Sequence, residues 1–195
     1  MTAAALDAAR LRGDAGADSL VAALGERAWA VVVLMRGVHG NRQPLPAALP
    51  VEARQFFAPV APPAWLDLRR VQRAQRWAQE HLLHVTTALF CASLPSAYAA
   101  ARGARVLAAT ERMRTDVDRR VNETARFVLD VLAPGALEPD GAGLRAIQKT
   151  RFVHALVRRA LAGHARAVGE GRGSVTTSPS TRRISSVRCS ASPSS

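Results

Sequence analysis

A chain of 195 residues with 48% hydrophobic content is long enough to bury one core and too apolar for a disordered chain. Aromatic residues make up only 5%; Ala, Leu, Val and Arg dominate, and apart from Val these lose little freedom in a helix, so the expected class is all-α. The formal charge of +12 raises nucleic-acid binding and then argues against it: Lys149 is the only lysine among the cationic residues, Arg172, Arg182, Arg183 and Arg188 fall in an acid-free tail, and Asp116, Asp118 and Glu123 interleave with the arginines of the body.

From the N-terminus, "MTAAALDAARLRGDAGADSL" has early acids and no uninterrupted apolar segment, so no secretory leader is expected. Asp18 or Ser19 is placed to cap a helix through "LVAALGERAWAVVVLMRG", with Gly37 and Gly40 as stops. The apolar run Ala28 to Met35 lies between Arg27 and Arg36 and falls well short of the ~20 residues that cross a bilayer, so no stable membrane span is expected. The prolines of "NRQPLPAALP" enforce a loop, "PVEARQFFAP" is a short helix ended by Pro59, and the dense prolines of "PVAPPAW" lead to Asp67 as the next cap.

Leu68, Val71, Ala74, Trp77 and Ala78 recur at helical spacing, and "VTTALFCASL" runs on to Pro95, which is expected to kink or restart the helix. Cys91 and Cys189 cannot make a disulfide framework, and Cys91 in an apolar run is expected to be buried and reduced. With these features a soluble cytoplasmic protein is expected. "SAYAAARGARVLAATERM" reads as a further helix with a weak point at Gly103. "RTDVDRRVNETARFVLDVLAPG" is a strong one closed by Pro134 and Gly135, and the loop "GALEPDGAG" hands over to "LRAIQKTRFVHALVRRALAGHARAV". From residue 171 to residue 195 the composition turns to Ser, Thr, Gly and Arg without an apolar period, which cannot offset the entropy of ordering, so a disordered tail is expected.

Few residues can carry chemistry. His154 sits at the border of the apolar stripe that includes Ile147, Val157 and Leu161, with Thr150 and Arg158 one turn away. A single histidine there is either a satisfied structural residue or a ligand, and spacing does not decide between them. Arg120 and Thr124 share one face of the preceding helix beside Val117, Val121 and Val128; they could serve an anionic or oxygen-containing ligand, or simply snorkel and bond back to their own helix. Glu80, His81 and His84 offer an i, i+3 histidine pair without an obvious further ligand, which suits a polar helix face better than a metal site. No Gly-rich phosphate loop, GxSxG elbow or CxxC pair occurs.

Four segments, "PAWLDLRRVQRAQRW", "SLPSAYAAARGARVLAATERM", "RRVNETARFVLDVLAPG" and "GLRAIQKTRFVHALVRR", resemble in order and spacing the MpaB and latex-clearing family of haem b oxygenases. The resemblance spans about Trp65 to Arg159 and implies a helical bundle with a globin-like haem-binding core. It implies an Arg-x-x-x-Thr helix on the distal side of the haem and a proximal histidine on the next helix, matched here by Arg120, Thr124 and His154. His154 would donate to the iron of haem b, Arg120 would stabilise negative charge on the distal side or hold a propionate, and Thr124 would supply a hydrogen bond. Dioxygen and a small hydrophobic, isoprenoid substrate are the implied partners; the oligomeric state is left open. Glu123 stands where latex-clearing members can carry a lysine, and Glu123 or Glu111 are the candidates for a catalytic base.

On this reading, residues 1–170 are the oxygenase domain and residues 171–195 a disordered tail. Family members continue past the proximal histidine with a segment resembling "P.NQEDL.GTLL.FS". Val175 to Ser195, back-translated with GC-rich codons and read from the third base, can give "DDLPLNQEDLVGTLLSFSVV". The expectation is therefore a frameshift from about Ser174, a core incomplete at its C-terminus, and weakened haem binding. The competing expectation is a non-catalytic all-α interaction or regulatory module in which His154 is inert.

Overall fold

Asp14, rather than Asp18 or Ser19, starts the first long helix. Its backbone is extended (φ −95°, ψ 96°) and its carboxylate accepts the Ala17 N–H at 3.1 Å, satisfying one of the orphan donors of a helix start. The computed structural model describes residues 2–10, 12–99 and 117–173. Its elements are α1 (Ala3–Arg10), α2 (Ala15–Leu24), a 3-10 turn (Gly25–Arg27), α3 (Ala28–Leu34), α4 (Val51–Phe56), α5 (Leu68–Glu80), α6 (Leu82–Ala88), a π-helical turn (Leu89–Ser93), α7 (Leu94–Ala99), α8 (Val117–Leu132) and α9 (Ala142–Gly173). The all-α expectation holds: no strand occurs among the described residues. Beyond Ala99, the helix expected over "SAYAAARGARVLAATERM", with Gly103 and Glu111, lies outside the described residues, as does the segment from Ser174.

The single helix expected over residues 20–37 is two helices. Gly25 takes φ +57°, a conformation that residues with a Cβ rarely adopt, and α3 restarts at Ala28 after one 3-10 turn. The break lets both pieces face one core: Leu20, Val21 and Leu24 of α2, Ala28 and Val31 of α3, then Met35, Ala53 and Phe57, and Phe152, Ala155 and Leu156 of α9. Phe57 and Phe152 meet edge to face at 5.7 Å between ring centroids.

Asp67 caps α5 as expected, accepting the N–H groups of Arg69 and Arg70. The chain is less regular after α6, because Pro95 has no N–H to give to the carbonyl of Cys91 four residues back. It passes through the π-helical turn Leu89–Ser93 shortly before that proline. Cys91 is exposed there, contrary to the expectation of a buried thiol. Leu83 and Phe90 of the same stretch are exposed as well, so local apolar composition marks no core at this point.

Glutamines join α5 to the end of α8. Gln75, buried, donates to the Val131 carbonyl at 3.0 Å and Gln79 to the Leu132 carbonyl at 3.3 Å, satisfying orphan acceptors of the last turn of α8. Gly135 (φ +74°) then turns the chain, and Gly143 N donates back to the Ala136 carbonyl at 2.9 Å. A Cβ on Gly141 would collide with that same carbonyl, so only glycine fits the close approach. The fold of this connection keeps the end of α8 beside the start of α9, and the two helices contact each other.

The start of α9 is fixed by a buried polar cluster. Arg145 is fully buried and held by neutral acceptors: its guanidinium donates to the carbonyls of Gly40, Asn41 and Phe57 and to Gln148 Oε1. Burial pushes its pKa down from the ordinary value. Gln148 in turn donates to the carbonyls of Phe56 and Ala58, and Asn41 donates to those of Val60 and Pro139 while accepting the Val60 N–H. No buried polar side-chain atom among the described residues lacks a partner. Further along, Arg151 grips the Asp14 carboxylate through two N–H groups at 2.6 and 2.9 Å, and Arg158 bonds Asp18 at 2.7 and 3.0 Å.

Replacing Arg145 with Met should leave several buried carbonyls unpaired and cost about 3 to 5 kcal/mol in chemical denaturation, whereas Met in place of exposed Arg159 should cost less than about 0.5 kcal/mol. Asp14 gives a pH signature. Its pKa is lowered from 3.8 to about 2, chiefly by the Arg151 hydrogen bond, opposed by desolvation and helped by the Ala17 N–H. A depressed folded-state value means stabilisation present above 3.8 and lost as the pH falls toward 2. Asp14→Asn should therefore be less stable than the parent by about 1 kcal/mol near neutrality, in denaturant titrations, with the gap closing through that acid window.

Candidate functional site

Two packed helices carry the residues singled out in the sequence. Arg120 lies 12 residues before the end of α8 and His154 12 residues after the start of α9. At 1.5 Å rise per residue each stands about 18 Å along its helix from their connection. Thr124 is one turn nearer the connection on the Arg120 face of α8.

The direction of His154 is set by Arg145. Nine residues separate them on α9, two and a half turns at 3.6 residues per turn, so a helix that buries Arg145 must present position 154 on its opposite side. His154 is accordingly exposed. Ile147, Thr150, Val157 and Leu161, all within one flank of it, are half-buried rather than packed away. On α8, Val121, Ala125 and Val128 are half-buried too, and Thr124 is exposed. An apolar stripe on each helix thus stays half-buried, with one imidazole and one hydroxyl at the margins.

Glu123 is exposed and its Oε1 accepts from Arg119 Nε at 2.9 Å, an i, i+4 pair on the outer face of α8. Such pairs contribute little in water. The Glu80, His81 and His84 group does not form a metal site: His81 bonds the Trp77 carbonyl through Nδ1 at 2.9 Å and stacks on the Trp77 ring at 4.7 Å. Among the described residues there is no group of three or more His, Cys, Asp or Glu able to hold a bare metal ion. A porphyrin asks less of the protein, since it brings four nitrogens of its own and needs one axial imidazole and apolar walls. The residues around His154 suit that demand.

Sequence reasoning missed the Arg145, Gln148 and Asn41 cluster altogether. Its only signal was an arginine and a glutamine three residues apart on the face that also holds Phe152, a position where charge is rare unless partnered.

No helix among the described residues is long and apolar enough to cross a membrane. No family model matches the chain, and no solved structure matches it. The chain is similar to a rubber oxygenase of Streptomyces sp. (strain K30), 29% identical over 151 residues, which are 76% of this chain and 37% of that protein. It therefore spans little more than a third of the length of the relative it matches.

If Glu123 contributes only its pairing with Arg119, Glu123→Gln should shift the thermal unfolding midpoint by no more than the equivalent of about 0.5 kcal/mol.

Proposed function

We propose that the chain is the haem-binding part of an oxygenase of the MpaB and latex-clearing kind, with a globin-like core in which His154 is the axial ligand of haem b. The observation that carries this reading is that α8 and α9, the helices of Arg120 and His154, contact each other while Val121, Ala125 and Val128 of one and Ile147, Val157 and Leu161 of the other stay half-buried. The similarity to a rubber oxygenase supports it independently.

When bound, the haem would supply dioxygen activation, turned on the double bond of a hydrophobic, isoprenoid substrate. The protein's own contributions are simpler. His154 gives a nitrogen lone pair on the side of α9 that Arg145 leaves outward. Arg120 brings a permanent positive charge to α8, fit to hold a propionate or to stabilise negative charge developing nearby. Thr124 offers a hydroxyl one turn away. Val121, Ala125 and Val128, with Ile147, Val157 and Leu161, provide walls that exclude water from an apolar substrate.

Titrating the purified chain with hemin should give a saturable Soret band that His154→Ala abolishes. A band of equal intensity in the variant, or none in the parent, would contradict the assignment.

A further inference from the structure

Lys149 is placed where a lysine is costly. It sits on α9 about two fifths of a turn round from His154, half-buried, one turn beyond the buried guanidinium of Arg145. Among the described residues it has no hydrogen-bond or ion-pair partner: the carboxylate nearest in effect, Asp130, is paired with Arg126 at 3.6 Å. Burial and the Arg145 charge push its pKa down, against a smaller upward pull from Asp130. A flexible side chain that could extend into water instead lies along the wall of a cavity.

That cavity has a volume of about 270 Å³ and is lined by Val32, Met35, Arg36, Phe57, Lys149, Phe152 and Val153. Five of these are apolar and two are cations; among the described residues no acid lines it. Its size lies just under the ~300 Å³ at which pockets for drug-sized molecules begin. A neutral apolar guest would leave Lys149 desolvated and unpaired. A cationic guest would be repelled by both Lys149 and Arg36. An anionic head group on an apolar body satisfies every wall at once, and a charge-assisted hydrogen bond in a partly dehydrated site is the strong kind.

We propose that this cavity is a binding site for a small amphiphilic carboxylate of medium chain length, with its head on Lys149 and Arg36 and its tail against Met35, Phe57, Phe152 and Val153. The site is distinct from the His154 flank of α9 and stands whether or not that histidine carries a haem.

The haem-free chain is titrated with sodium octanoate, octan-1-ol and octylamine by calorimetry and two-dimensional NMR. Octanoate should bind saturably, at least tenfold more tightly than octan-1-ol, with shifts centred on the cavity residues, and octylamine should not bind. Lys149→Met should weaken octanoate at least tenfold while leaving octan-1-ol unchanged. Equal affinity for octanoate and octan-1-ol, no saturable octanoate binding, or an unaltered octanoate affinity in Lys149→Met overturns the proposal. Should that variant fail to fold, the parent decides. Lys149 is the only lysine in the sequence, so reductive methylation with ¹³C-formaldehyde gives one side-chain dimethylamine signal. Octanoate should slow its appearance severalfold, and an unchanged rate overturns the proposal equally.

Discussion

A buried guanidinium with no counter-ion among the described residues sets the geometry of this protein. Arg145 is held entirely by carbonyl groups of the 40–41 loop and Phe57 and by Gln148, so the loops after α3 and α4 are pinned to the first turns of α9. Desolvating a cation is expensive, and the arrangement persists because each N–H in use finds an acceptor of good geometry. Phe152, Ala155 and Leu156 continue the same buried face, and the Asp14–Arg151 and Asp18–Arg158 pairs tie its flank to α2. Together these contacts fix α9 against rotation about its axis. The outward direction of His154 is a consequence.

A site can thereby be organised on a surface that is not itself closed. One side of α9 is locked to α2, α3 and α4, and the helix also contacts α8, while Ile147, Val157 and Leu161 on its other side stay half-buried. Rigid support on one face with unfilled apolar surface on the other is what a flat hydrophobic cofactor needs. In the function proposed, the polar cluster behind the helix would steady the candidate ligand in front of it.

Much of the fold was legible in the sequence because it rests on local chemistry. Asp67 caps α5, Gly135 ends the α8 segment, and Pro95 disturbs its helix, each through the donors or dihedral angles that residue type dictates. The parts that were not legible depend on distant partners. Asp14 outcompetes Asp18 as a cap, and both carboxylates also face arginines about 140 residues away. Cys91 sits in an apolar run that nothing among the described residues covers, so composition alone misplaced it in the core. Of the candidate site, the helix pair and the equal spacing of Arg120 and His154 from the loop between them could be counted from the sequence, but the outward orientation of His154 required knowing that Arg145 is buried.

In the function proposed, one bond is central, between the imidazole of position 154 and a haem iron. Resonance Raman spectroscopy of the ferrous haem complex, prepared with and without ¹⁵N-histidine, examines that bond directly. The expected result is an iron–nitrogen stretching band that moves on labelling and disappears in His154→Ala. A band insensitive to the label, or one that survives in the variant, would contradict it.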